Sequence, residues 1–219
     1  MISLLFIQEY YLLFLKGLFV SLQIAFFSCL MGALLGILFG VILAQKIKPF
    51  DLIVMLYVVI IRGTPMLIQI AATYYLLTSF GFGISAFWSA IFSIGLNSAA
   101  YVSQIVVAGI NSVGHGQVEA AKTLGFSTSQ IVSLIVLPQA IRTVLPALGN
   151  ELVTLVKDSS LASTIGVYEL AKQGGIIASQ TYNAPAVYVM MGIMYLVVTT
   201  IISCFVSLLE KRMQYYVKR

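Results

Sequence analysis

The sequence predicts an all-α membrane protein with five transmembrane helices, and three observations predict it. Of its 219 residues 60% are hydrophobic and only 9% charged, at a mean hydropathy of +1.03, which excludes an ordinary soluble domain. No Asp, Glu, Lys or Arg occurs in residues 63–118 or 173–209. The basic residues also collect on one side of the expected spans. Lys46, Lys48, Lys122, Arg142, Lys211, Arg212, Lys218 and Arg219 fall at predicted cytoplasmic ends, Lys16 and Lys172 at the other side, and Arg62 and Lys157 in or near spans. The net charge of +5 therefore follows the positive-inside rule and is not a sign of nucleic-acid binding.

The whole chain, 1–219, reads as one transmembrane domain. The first span covers about 11–44, longer than the ~20 residues a bilayer needs, so it tilts or projects outward. Glu9 precedes Lys16, and the uncharged run over 17–45 exceeds the ~7–15 residues of a signal-peptide core, so the span is retained. Lys46, Lys48 and Pro49 turn the chain. The second span, 52–78, is interrupted by Arg62-Gly63-Thr64-Pro65, where Gly and Pro predict a kink or an unwound stretch. The third, 86–110, carries Asn97 near its middle. A polar loop over 111–138 follows, then a fourth span over 139–160 containing Pro146 and Gly149. An outer segment with a short helix covers 159–175. The fifth span, 186–209, stops at Glu210-Lys211-Arg212. Five spans place the N-terminus outside and the C-terminus in the cytoplasm. Tyr10, Tyr11, Trp88 and the Tyr215-Tyr216 pair suit the membrane interface. Cys29 and Cys204 lie in apolar runs as buried free thiols, with no disulfide or metal pattern. His115 reads as a surface residue.

The loop is the most telling stretch: EAAKTLGFSTSQIVSLIVLP, 119–138. A charge near the centre of a spanning helix costs about 2.5–3.5 kcal/mol, so this segment must leave the bilayer. Glu119, Ala120, Ala121, Lys122 and Leu124 favour helix, Gly125 stops it, and Ser127 caps a second helix that runs toward Pro138. The result is a short helix across the membrane mouth, a knob that another protein can grip.

Ionisable groups inside spans point to function, because they must face a cavity or a partner. Glu151, Thr154 and Asp158, at i, i+3 and i+7, share one face of the fourth span over about 10 Å. Asn150 and Lys157 form the neighbouring stripe. Such a surface suits a small zwitterion: carboxylates for a cationic side chain, a cation for an α-carboxylate, amides for the rest. Two carboxylates against Lys157 favour a basic substrate, an imbalance that Arg62 could offset. Structural readings stand beside these. Lys157 could neutralise Glu151 or Asp158, and Asp158 with Ser159 could cap the next helix. The break at Arg62-Gly63-Thr64-Pro65 could offer backbone groups to a ligand, with Thr64 and Arg62 beside them, or could be a plain kink. Asn97 could bind ligand or link helices.

The residues also carry a resemblance. Glu-Ala-Ala at 119–121, Gly125, Ile135 and Leu137-Pro138 match without a gap the EAA loop of ABC importer permeases. RGTPMLIQ at 62–69, NSAAYVSQ at 97–104, LPQAIRTVLPALGNEL at 137–152 and VKDSSLASTIGVYEL at 156–170 resemble the polar amino-acid branch of that family. Gln104 departs from it where an acidic residue is frequent, and Gly114-His115 where a Pro-Lys-like pair is frequent. The resemblance implies a type I ABC importer permease in the inner (plasma) membrane of a prokaryote, itself not an enzyme. It implies a second permease subunit, identical or homologous, two ATPase subunits gripping residues 119–125, and an external binding protein that delivers an amino acid. No cofactor is expected in this chain. It has no GxxxxGK[ST] loop, so ATP belongs to the partner. Substrate-binding candidates are Glu151, Asp158, Lys157, Asn97, Thr154, Thr64 and Arg62. The expected function is ATP-driven import of polar amino acids, of basic ones by the charge argument. The alternatives are a glutamine/glutamate importer, or a cation channel with Glu151 and Asp158 as its ring. An intramembrane enzyme has little support, with one histidine and no HExxH or nucleophile–base pair.

Overall fold

A computed structural model describes residues 4–215 of the chain, with side chains over 9–212. Tyr216, Lys218 and Arg219, and the side chain of Tyr215, lie outside the described residues. Everything regular within them is helix: α1 Leu4–Gln45, α2 Phe50–Arg62, α3 Met66–Ser79, α4 Ala86–Asn111, α5 His115–Thr123, α6 Thr128–Ile131, α7 Leu137–Asp158, α8 Leu170–Thr181 and α9 Ala184–Tyr215. A π turn, Val132–Val136, joins α6 to α7, and a 3-10 turn, Ser159–Ile165, extends α7. By length and apolar character, four segments can each cross a bilayer, and the α2–α3 pair makes a fifth if counted as one span.

The centre of the fold is the pairing of α1 with α4. Gly32, Gly36 and Gly40 recur every fourth residue of α1 and face Ser98, Val102 and Val106 of α4. A Cβ on Gly32 would stand 2.6 Å from the Ser98 hydroxyl, and one on Gly36 2.5 Å from Val102 Cβ, so only glycine lets the two backbones come this close. Ile24, Ile70, Ala90, Ile94, Leu155 and Val156 then fill the space between α1, α3, α4 and α7. A second cluster, Phe14, Leu170, Ile177, Val187 and Met191, seats α8 between α1 and α9. The outer faces carry exposed Phe19, Phe26, Leu34, Val59, Leu196 and Phe205, a surface suited to lipid rather than water.

Two features differ from the sequence expectation, and a third takes the sharper of two expected forms. The break in the second span is an unwound stretch, across which α2 and α3 meet at 107°. Gly63 caps α2 through a bond from its N–H to the Val59 carbonyl, Pro65 is extended at ψ 134, and α3 starts afresh after it. The helix that carries the fourth span begins earlier than 139, running without a gap from Thr128 to Ile165. Pro138 cannot donate to residue 134, and the widened π turn just before it absorbs that defect. Of the two free thiols, Cys29 is half-buried and Cys204 exposed on α9, so neither is a fully buried core residue.

Glu169 ties the segment between α7 and α9 down. Its carboxylate caps α8 by accepting from the Ala171 and Lys172 N–H groups at 2.8 and 2.7 Å. It also accepts from Ser21 of α1 and Tyr195 of α9, both at 3.1 Å. Burial pushes this carboxyl above the usual carboxylate range, while the four donors pull it back in part.

Candidate functional site

The polar face of α7 meets the polar face of α4. Glu151 Oε1 accepts a 2.8 Å bond from the buried Ser98 hydroxyl. Around that contact lies a pocket of about 220 Å³ lined by Thr64, Met66, Asn97, Tyr101, Glu151, Thr154 and Asp158. The spacing read on α7 thus places Glu151, Thr154 and Asp158 on one wall. Thr154 spends its hydroxyl proton on the Asn150 carbonyl at 3.2 Å. The Asp158 side chain makes no capping bond to the turn after it, so that structural reading finds no support.

The opposite wall comes from the broken span. Gln69 braces the break, its Nε2 donating to the Ile61 carbonyl and the Thr64 hydroxyl, each at 2.7 Å. Its Oε1 accepts from Asn97 Nδ2 at 2.8 Å. Asn97 therefore links helices, one of its two expected roles, and also borders the pocket. The Thr64 hydroxyl donates to the Ile60 carbonyl at 3.0 Å, closing the open end of α2.

Neither candidate cation lines this pocket, though each neighbours a residue that does. Lys157 is exposed on the neighbouring stripe and is not among the lining residues. Among the described residues it forms no ion pair with Glu151 or Asp158. Arg62, at the end of α2, places its guanidinium carbon 5.1 Å from the centre of the Tyr101 ring. Sequence reasoning missed Ser98, Tyr101 and Gln69. Tyr101 was within reach, standing four residues after Asn97 on the same face of α4. Ser98 and Gln69 carry no such local signal.

At the opposite end of α7 stands the loop helix. Phe126 donates to the Ala121 carbonyl and Gly125 to that of Lys122, with Gly125 at φ +83, so a left-handed glycine closes α5 as predicted. Ser127 and Gln130 then form a reciprocal capping box that opens α6. Glu119, Ala120, Lys122 and Gly125 are exposed, and Leu124 is 76% exposed, which leaves a naked apolar tip. Ala121 is different, for it is buried and packs inward. His115 is exposed at the start of α5.

An all-helical protein with four or five candidate spans, a polar pocket between its helices and an exposed loop helix at the other end of α7 is the class this geometry defines. Residues 36–215 match the family of binding-protein-dependent transport system inner membrane components, and the chain belongs to that family. It is 35% identical over 214 residues to the octopine transport system permease protein OccM of Rhizobium radiobacter, covering 94% of this chain and 87% of that one. It is also 35% identical over 201 residues to the arginine transport system permease protein ArtQ of Bacillus subtilis (strain 168), covering 91% and 92%. Relatives named for L-cystine and, as a probable assignment, for glutamine stand at 31% and 32% identity. A crystal structure of an amino acid ABC transporter with histidines superposes at a TM-score of 0.91, with 37% identity over 97% of this chain and 99% of that one. The protein is an amino-acid ABC importer permease subunit, a multi-pass component of the inner membrane and not an enzyme. The family implies ATPase, binding-protein and second-permease partners. The channel alternative loses its support with this membership.

Proposed function

We infer that this chain moves basic amino acids, arginine, lysine or histidine, and holds them in the Glu151 pocket. The observation that carries this reading is charge: the pocket wall holds Glu151 and Asp158 and no Lys or Arg. Two carboxylates beside the membrane interior, with only the neighbouring Lys157 outside the pocket to offset one of them, favour a cation. A basic side chain supplies one, and glutamate does not. One relative named for arginine and a solved structure with histidines support this reading, while others are named for L-cystine and glutamine.

The working arrangement follows from the family and the positive-inside bias. The N-terminus lies outside and the C-terminus in the cytoplasm, with α5 at the cytoplasmic face. Two permease subunits, identical or homologous, stand over two ATPase subunits that bind the ATP, and this chain carries no cofactor of its own. Glu119, Ala120, Lys122, Leu124 and Gly125 contact the ATPase, and Ala121 anchors the knob from behind. Closure of the ATPases pushes α5, α7 moves with it, and Glu151 is exposed to alternate sides. The substrate shifts that equilibrium only through its different affinity for the two states.

The test is equilibrium binding of radiolabelled arginine to the detergent-purified permease–ATPase complex, with lysine, histidine, glutamine and glutamate as competitors. Saturable binding displaced by the basic amino acids and lost in Glu151→Gln is the expected result. Intact transport without such binding would place selectivity in the external binding protein and return Glu151 to a structural role.

A further inference from the structure

We propose that Tyr101 is a specificity-determining residue of this permease, its ring serving as a platform for the cationic side chain of the substrate and Arg62 as the built-in competitor for that platform. The proposal rests on the basic-amino-acid reading above and adds to it the residue that distinguishes a cation from a neutral side chain of the same shape.

Three observations carry it. Tyr101 borders the same 220 Å³ pocket as Glu151 and Asp158, so one small volume combines two carboxylates with an aromatic ring. The ring already receives a guanidinium, with Arg62 Cζ 5.1 Å from its centre, inside the ~6 Å reach of a cation–π contact. Arg62 itself has no hydrogen bond or ion pair among the described residues, so the ring is its one partner among them. A guanidinium in a spanning segment ordinarily recruits a carboxylate. Here the guanidinium stays on the ring, and neither pocket carboxylate is ion-paired among the described residues.

Chemistry explains the division of labour. A carboxylate pair attracts any cation and any hydrogen-bond donor, including a neutral amide or urea. An aromatic face attracts cations and offers a urea much less, because the attraction comes from the ring quadrupole acting on net charge. A carboxylate floor with an aromatic wall therefore selects arginine over citrulline, its neutral isostere, more sharply than carboxylates alone. Arg62 opposes this, since a ring engaged by one cation holds a second less well and like charges repel. Its place at the α2–α3 break lets the break's geometry govern the competition: a change in the 107° angle moves Arg62 relative to Tyr101.

The experiment measures the affinity of the purified permease–ATPase complex for radiolabelled arginine, and its displacement by unlabelled citrulline. Wild type, Tyr101→Phe, Tyr101→Leu and Arg62→Gln are compared. Tyr101→Leu is expected to lower the arginine-over-citrulline ratio by about fivefold, and Tyr101→Phe to keep it, because the phenyl ring preserves the quadrupole. Arg62→Gln is expected to move in the opposite direction, raising arginine affinity by about fivefold. A wild-type complex that binds citrulline as well as arginine would refute the basic-amino-acid reading itself. If wild type prefers arginine, an unchanged ratio in Tyr101→Leu overturns the platform. Should Tyr101→Leu fail to assemble, Arg62→Gln decides alone: unchanged or weaker arginine binding there overturns the proposal.

Discussion

Gln139 Nε2 donates to Gln117 Oε1 at 2.7 Å, tying the loop helix α5 to the first turn of α7. The same amide donates to the Ile135 carbonyl at 2.9 Å, which fixes its direction. Twelve residues, a little over three turns, separate Gln139 from Glu151 on one continuous helix. The bond is thus a strut between the helix proposed to meet the ATPase and the helix that carries the pocket. Ser112 and Thr143 reinforce it at 3.3 Å, joining the end of α4 to α7.

Gln139→Ala should loosen the strut without preventing assembly, since Gln117 is exposed and Gln139 only half-buried. Transport per ATP hydrolysed in reconstituted vesicles is expected to fall by at least about fivefold, the lower end of usual coupling energies. Unaltered stoichiometry would show that force travels by another route.

Glu119→Lys should strike the docking contact directly. Glu119 is exposed on α5 with its side chain free to meet a partner, so charge reversal disturbs the interface and not the fold. The variant is expected to insert and purify normally but to lose ATP-dependent uptake. Wild-type uptake would refute the docking assignment.

Ser98→Ala removes the donor that orients Glu151. A hydrogen bond to a charged group is worth about 1.5–3 kcal/mol, so arginine affinity should drop by roughly tenfold or more. Calorimetric titration of the purified complex reads this. An unchanged affinity would mean that Glu151 needs no positioning.

Gly36→Ala tests the close approach of α1 and α4. The new Cβ would meet Val102 Cβ at 2.5 Å, and overpacking of this kind costs about 1–3 kcal/mol. The melting temperature in detergent should fall, whereas Gly192→Ala, with nothing within 4 Å, should leave it unaltered.

Glu169, between the spanning helices, has a carboxyl raised by burial, and the sign of its pH effect follows. The folded state binds its proton more tightly than the unfolded chain. That contribution to stability is complete below the ordinary glutamate value, about 4.3, and is lost as pH rises through the raised value. Wild type should therefore lose stability relative to Glu169→Gln across that window, as read by melting temperature against pH. A difference that stays flat or grows with pH would refute the assignment.

Much of this protein is local, and what is local was legible. Apolar length and charge placement set the spans. Gly125 and Ser127 set the ends of the loop helices through backbone conformation and capping, which involve only near neighbours. The i, i+3, i+7 spacing placed Glu151, Thr154 and Asp158 on one wall because helix geometry is periodic. Resemblance extended the loop helix to a role in docking.

Tertiary structure alone decided the partners. Ser98 meets Glu151 across 53 residues, and Gln117 meets Gln139 across 22; neither contact leaves a periodic trace in the chain. The angle of 107° at Arg62-Gly63-Thr64-Pro65 could not be read from a Gly and a Pro, which permit a break without choosing its direction. That direction is set by Gln69 reaching Ile61, Thr64 and Asn97. Arg62 consequently stands on Tyr101 and outside the acidic pocket. Periodicity determines which residues share a face, and the packing of helices against one another determines what that face meets.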